Sequence, residues 1–152
     1  MGSVHEFYLI ARTTDTKDFW MYKESGNGVM DSAVIDDDLI LYIMDSLEWI
    51  PSQNPAKRGN PSGRGINYHG VTLFDRQASK TLMGIFMSWK NLFKNAPASF
   101  VLPGAYVYGD KQEGNYEKLV FSRDEVIAQL DKMISMSEAL AKGECYLYHC
   151  GI

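Results

Sequence analysis

The sequence predicts an α+β fold: a mostly antiparallel sheet with three helices packed on it as a single pair of layers. Three observations lead there. Three stretches carry apolar residues at helical spacing, the runs between them are aromatic or β-branched, and paired runs are joined by turn residues at hairpin distance. The resulting order is β-β-α-β-α-β-β-α-β, without an internal repeat or low-complexity tract. The 152 residues fit one domain, 1–152.

His5 to Ala11 reads as a strand, because Phe7, Tyr8, Leu9 and Ile10 favour the pleat. A polar turn, Thr13 to Thr16, leads to Phe19-Trp20-Met21-Tyr22, which reads as the second strand of a hairpin. Ser25-Gly26-Asn27-Gly28 marks a turn. A helix then runs from about Asp36 to Ile50. Aspartates 36–38 cap it and favour its positive end, and Pro51 stops it.

Residues 51–65 form the one long irregular stretch, with Pro51, Pro55, Pro61, Gly59, Gly63 and Gly65 and the basic Lys57, Arg58 and Arg64. Ile66 to Phe74 reads as a strand bent at Gly70. Asp75 caps a helix to about Lys94. Ala78, Leu82, Ile85, Phe86, Trp89, Leu92 and Phe93 lie on one side of it, and Arg76, Lys80, Asn91 and Lys94 on the other.

Phe100–Leu102 and Tyr106–Tyr108 are strand pieces interrupted by Pro103-Gly104, and Tyr116–Phe121 pairs back after a tip at Asp110–Asn115. Ser122-Arg123-Asp124-Glu125 is a capping box, because Ser122 and Glu125 can each satisfy an orphan amide. The helix it opens runs to about Lys142 and buries Val126, Ile127, Leu130, Met133, Ile134 and Leu140, with Gly143 closing it. Cys145 to Cys150 is the final strand.

Composition narrows the function. A net charge of −4 argues against generic nucleic-acid binding, which needs a concentrated positive surface. No run approaches the ~18 apolar residues of a membrane span. Met1 to Glu6 lack the basic start and apolar run of a signal peptide, so the expected compartment is the cytoplasm. Two cysteines are too few for a disulfide framework.

The helix over 36–50 is the most informative segment. Leu39, Ile40, Ile43, Leu47 and Ile50 form its apolar stripe, while Asp37, Asp38, Asp45 and Glu48 gather on the opposite side. Tyr42 and Trp49 lie along one seam between them. An acidic face edged by two large aromatics suits docking a basic protein rather than holding a substrate.

Other constellations are less specific. Cys145, His149 and Cys150 resemble a metal cluster in composition. In a strand, however, Cys145 and His149 sit about 13 Å apart at ~3.3 Å per residue, and Cys150 points to the other face. The same facing prevents a Cys145–Cys150 disulfide. Asp36-Asp37-Asp38 lack the alternation and glycine of a calcium loop. The loop Gly59 to Gly65 lacks the Gly-Lys-Ser/Thr ending of a P-loop. No metal, cofactor or catalytic residue is therefore assigned. Arg76, Lys80 and Lys94 are too sparse for a nucleic-acid footprint. The competing functional class is a small enzyme or a nucleotide- or phosphate-binding protein, its site assembled from His5, His69 and the 51–65 loop.

In size, α+β order, acidity and aromatic content, and in lacking a legible active site, the chain resembles the small cytoplasmic immunity proteins of bacterial polymorphic and contact-dependent toxin systems. Its ending, Gly143-Glu144-Cys145-Tyr146-Leu147-Tyr148-His149-Cys150-Gly151-Ile152, is similar to the short closing strand of some of them. The resemblance is one of build across most of the chain, and it transfers no functional residue. It implies tight binding to one cognate toxin domain, often a nuclease, with the toxin's active site blocked or distorted. An acidic inhibitor suits a basic nuclease, because opposite potentials speed encounter and fix register.

The density of prolines and glycines in 51–65 makes this segment the expected site of first proteolytic attack. Limited trypsin digestion should cut at Lys57, Arg58 or Arg64 before Lys132. Early cleavage at Lys132 would contradict the assignment of the last helix.

Overall fold

The computed structural model describes residues 2–57, 63–110 and 113–152. In chain order its elements are β1 (Val4–Ala11), α1 (Phe19–Tyr22), β2 (Val29–Asp36), α2 (Asp37–Leu47), β3 (Pro51–Ser52), β4 (Gly63–Arg64), β5 (Val71–Phe74), α3 (Ser79–Phe93), β6 (Ser99–Tyr108), β7 (Gly114–Ser122), α4 (Arg123–Leu140) and β8 (Cys145–Cys150). The main sheet has the order β2-β1-β8-β5, and every neighbouring pair is antiparallel. β6 and β7 form a separate hairpin, and β3 and β4 a short pair.

β8 lies inside this sheet and is buried along its whole length. Alternation sends Cys145 and Leu147 to one face, where they meet Phe7, Leu9, Ala33 and Ile35 from the neighbouring strands. α2, α3 and α4 cover that face with Leu39, Ile43, Leu82, Phe86, Leu130 and Met133 among others. Tyr146, Tyr148 and Cys150 take the opposite face with Ile10 and Leu73, and Phe19 covers them. Rings of Tyr8 and Tyr148 meet Phe19 edge-on at 5.4 and 4.8 Å between centroids.

The α+β class and the antiparallel sheet agree with the sequence, but several elements do not, including the short β3–β4 pair inside the stretch read as irregular. Residues 19–22 are a helical turn, giving four α-helices among the described residues instead of three. Only Phe19 of that run is buried, and Trp20, Met21 and Tyr22 face solvent. One inward side chain suits a single turn that plugs the sheet's second face. The sheet therefore has cover on both sides instead of being one half of a single layer pair.

The second strand is β2, placed by its pairing with β1 from Val4↔Asp36 to Ile10↔Val29. Its inward residues are only Ala33 and Ile35, and Asp31 and Ser32 dilute the alternation, which hid the strand in the sequence. The strand expected over 66–74 shortens to β5, because Asn67 to Gly70 make a turn closed by Gly70 N–H donating to Asn67 O at 3.1 Å.

Two of the three N-terminal capping signals hold, while at the start of α2 the N-cap Asp36 makes no side-chain capping bond. Asp75 accepts from Arg76 N at 2.7 Å and Ser122 from Glu125 N at 3.4 Å. Gly143 follows α4 with φ +76°, and its N–H donates to Leu140 O.

Leu147 is fully buried on the helix-covered face of the central strand. Leu147→Ala should cost about 3–5 kcal/mol of stability, read as a lower urea midpoint at unchanged slope, because neighbours on three sides limit collapse into the cavity.

Candidate functional site

α2 places its residues much as its periodicity demands. Leu39, Ile40, Ile43 and Leu47 are buried, as is Ile50 just beyond the helix, and Asp38, Asp45 and Glu48 are exposed. The helix ends at Leu47, and the chain tightens through Trp49 N–H to Ser46 O and Ile50 N–H to Leu47 O. That turn holds Trp49 outward, 63% exposed, while Tyr42 is 41% exposed.

Asp37 departs from the expected acidic face. Its backbone N–H donates to Ser3 O at 3.0 Å, which fixes the start of α2 against the start of β1. Its carboxylate turns inward, accepting from His5 Nε2 at 2.9 Å and from the Tyr68 hydroxyl. Asp38 stays outward. Partial burial, and then Asp37, Glu117 and Asp36, raise its carboxyl above the usual range. The acidic corner therefore reaches across to β7.

Inward of Asp37 lies a polar chain that the sequence did not reveal. His5 Nδ1 is 2.9 Å from His149 Nε2, and His149 Nδ1 is 3.3 Å from Thr72 Oγ1, which accepts from Asn67 N at 2.7 Å. One set of tautomers satisfies every link: Thr72 O–H donates to His149 Nδ1, His149 Nε2–H to His5 Nδ1, and His5 Nε2–H to Asp37. Both rings are fully buried and lie nearly parallel, 5.2 Å between centroids.

Burial, and secondarily His5, push the His149 ring down to about 3. A ring held neutral this firmly is a poor general base near neutrality. The cluster's chemical work is to join β1, β8, β5, the 67–68 turn and α2 through satisfied hydrogen bonds.

His5 and His69, the pair offered for a competing site, meet through the Tyr68 ring. His69 is exposed and meets Tyr68 edge-on at 4.7 Å, while buried His5 lies 5.1 Å from the same ring. The residue that joins His5 is His149, two positions along the strand from Leu147. Its facing was legible, but the register that brings Phe7 opposite it was not. Cys145 and Cys150 are free thiols on opposite faces. Among the described residues no group of three metal-ligating side chains is assembled.

Of the loop cations, Arg64 donates from Nη1 to Trp49 O at 3.2 Å and so braces the end of α2. The Lys57 side chain and residues 58–62, with Arg58, Gly59, Asn60, Pro61 and Ser62, lie outside the described residues.

The aromatic seam of α2 faces α3, and between them is an apolar groove of about 530 Å³. Trp49 stands at its lip, with Ile85, Trp89 and Leu92 along α3 and Gly84 and Ser88 between them. Trp89 Nε1 donates to Ser46 Oγ at 2.8 Å, and Ser46 Oγ donates to Ile43 O at 2.7 Å. Tyr42 packs edge-on against Trp89 at 5.9 Å, and Trp89 stacks on Phe93 at 5.8 Å. In the sequence Trp89 was indistinguishable from core. The structure gives it a half-buried place beside the groove.

A second apolar surface lies on the β6–β7 hairpin. Opposed pairs Val101↔Val120, Pro103↔Lys118 and Tyr106↔Tyr116 share its outer face, and Tyr108 extends the row. Its valines and tyrosines are at least half exposed, whereas Phe100 and Phe121 point into the core. Alternation in 116–121 could have shown this face, but the bulge between Pro103 and Tyr106 breaks the matching pattern on β6.

Comparison with known proteins returns no matching family model, no matching curated protein and no matching solved structure.

The depressed His149 value has a stability consequence. Below the unfolded ring's value of ~6.5, an unfolded chain takes up a proton that folded His149 refuses, so stability falls as pH falls. The loss approaches ~1.4 kcal/mol per pH unit and levels off near pH 3. Urea unfolding between pH 7.5 and 5 should show it. Imidazole NMR should find His149 neutral throughout that range, and a ring titrating near 6 would contradict the buried network.

Proposed function

We propose that this protein is a binding module that captures a basic protein domain through the edge shared by α2 and α3. The observation that carries this reading is Trp49: a large indole, 63% exposed, at the lip of an apolar groove and flanked along the chain by exposed Asp45 and Glu48. Single exposed apolar residues are ordinary. Here Tyr42 and Leu92 extend the apolar surface, and an aromatic anchor ringed by charge is the usual anatomy of a tight interface.

The contact set proposed from α2 is Asp38, Tyr42, Asp45, Glu48 and Trp49. Asp37 supports it from behind, through His5 and Tyr68. The net charge of −4 favours a positively charged partner. The resemblance in build to bacterial immunity proteins supports a cognate toxin domain, such as a basic nuclease, met in the cytoplasm. No described helix is long and apolar enough to cross a membrane.

Charge and anchor should separate kinetically. Asp45→Lys with Glu48→Lys should chiefly slow association and reduce its dependence on salt, since exposed charges steer encounter. Trp49→Ala should chiefly speed dissociation, by about 30-fold or more, equivalent to ~2 kcal/mol for a hot spot. Surface plasmon resonance against the product of the adjacent upstream gene measures both, with circular dichroism as the folding control. Binding equal to wild type by both variants would end this reading.

A further inference from the structure

The groove also carries information about the shape of what enters it. Its polar atoms are largely engaged within the chain. Ser46 Oγ serves Trp89 and Ile43, and Ser88 Oγ donates to Gly84 O at 2.8 Å. A nucleotide or sugar entering here would lose water without gaining those partners, whereas an apolar side chain would lose nothing. The surface from Thr81 to Leu92 runs along three turns of α3, about 17 Å at 1.5 Å per residue.

Gly84 sits one turn into that run. Glycine inside a helix is destabilising relative to alanine. Nothing within the chain requires it, since a Cβ there would meet no atom within 4 Å. With Ser88 one turn later, it leaves a shallow floor against which another backbone can lie closely. Asp45 and Glu48 do not line the groove, but they are the exposed chain neighbours of Ser46 and Trp49, which do, so an occupant reaching past Trp49 gains from a positive flank.

Resting on the binding reading above, we infer that the α2–α3 groove receives an amphipathic helix of the partner protein, its apolar stripe laid over Gly84 and Ser88 against Trp49 and its Lys/Arg flank beside Asp45 and Glu48. Such a helix would present anchors at i, i+3 or i+4, and i+7, which span about two turns and fit within the groove's length.

The test selects a phage-displayed library of random peptides on the wild-type protein, with counter-selection on Gly84→Phe, which fills the floor from an exposed position. The expected outcome is enrichment of peptides with apolar residues at i, i+3 or i+4, and i+7 and Lys or Arg alongside. Synthesised, they should gain helical circular dichroism on binding. They should bind Gly84→Phe at least about tenfold more weakly than wild type, and Gly84→Ala should fold at least as stably as wild type.

Extended or proline-rich winners, peptides that bind Gly84→Phe equally, or no enrichment at all would overturn the inference. Its failure is separable from failure of the binding reading. A cognate domain weakened by Trp49→Ala but indifferent to Gly84→Phe would keep the interface and remove the helix.

Discussion

Every residue of β8 is buried, and a strand in that position needs cover on both faces. The rest of the architecture follows from meeting that need. Three long helices supply one layer, and the turn of α1 supplies the other through Phe19. The same constraint governs His149, whose two ring nitrogens cannot remain unpaired in such a place. Thr72 meets one nitrogen and His5 the other, and His5 in turn fixes Asp37 at the start of α2. The orientation of the candidate binding helix thus traces back to the burial of a strand at the far end of the sequence.

α2 consequently has two different ends. Its first turn belongs to the interior network through Asp37, and its last turn belongs to the surface through Asp45, Glu48 and Trp49. A single period of apolar residues specifies which stripe is buried. It does not distinguish a carboxylate lying over solvent from one lying over the edge of a neighbouring strand. The acidic side therefore divides according to tertiary neighbours: Ser3 and His5 claim Asp37, while Asp38 stays outward beside the reach of Glu117.

What the sequence made legible was what local chemistry decides. The apolar stripe of α2, the caps at Asp75 and Ser122, and the burial of β8 all follow from residue type and spacing within one element. What it concealed depends on register and on contacts between distant segments. β2 was hidden because only Ala33 and Ile35 of its alternating positions are buried. Residues 19–22 read as a strand because an aromatic run follows a polar turn, but only Phe19 is buried and the run closes into one helical turn. The His5–His149 pair needs the β1–β8 register, and the groove needs α3 beside α2. No periodicity within a single segment encodes either.

The hairpin of β6 and β7 leaves and rejoins the body at one place, where Arg123 N–H donates to Ala98 O at 3.0 Å, and its strands pair with each other and with no other strand of the described residues. Phe100 and Phe121, stacked at 5.5 Å, anchor its base in the core, and the next inward pair, Leu102 and Leu119, packs partly buried against it. Topologically it is an appendage clasped at its root. Residues beyond the clasp can be exchanged, shortened or extended without rethreading any strand of the sheet. This makes the tyrosine-bearing tip the part of the molecule freest to diverge, while the root from Ala98 to Leu102 and from Leu119 to Arg123 is held by its contacts with the body.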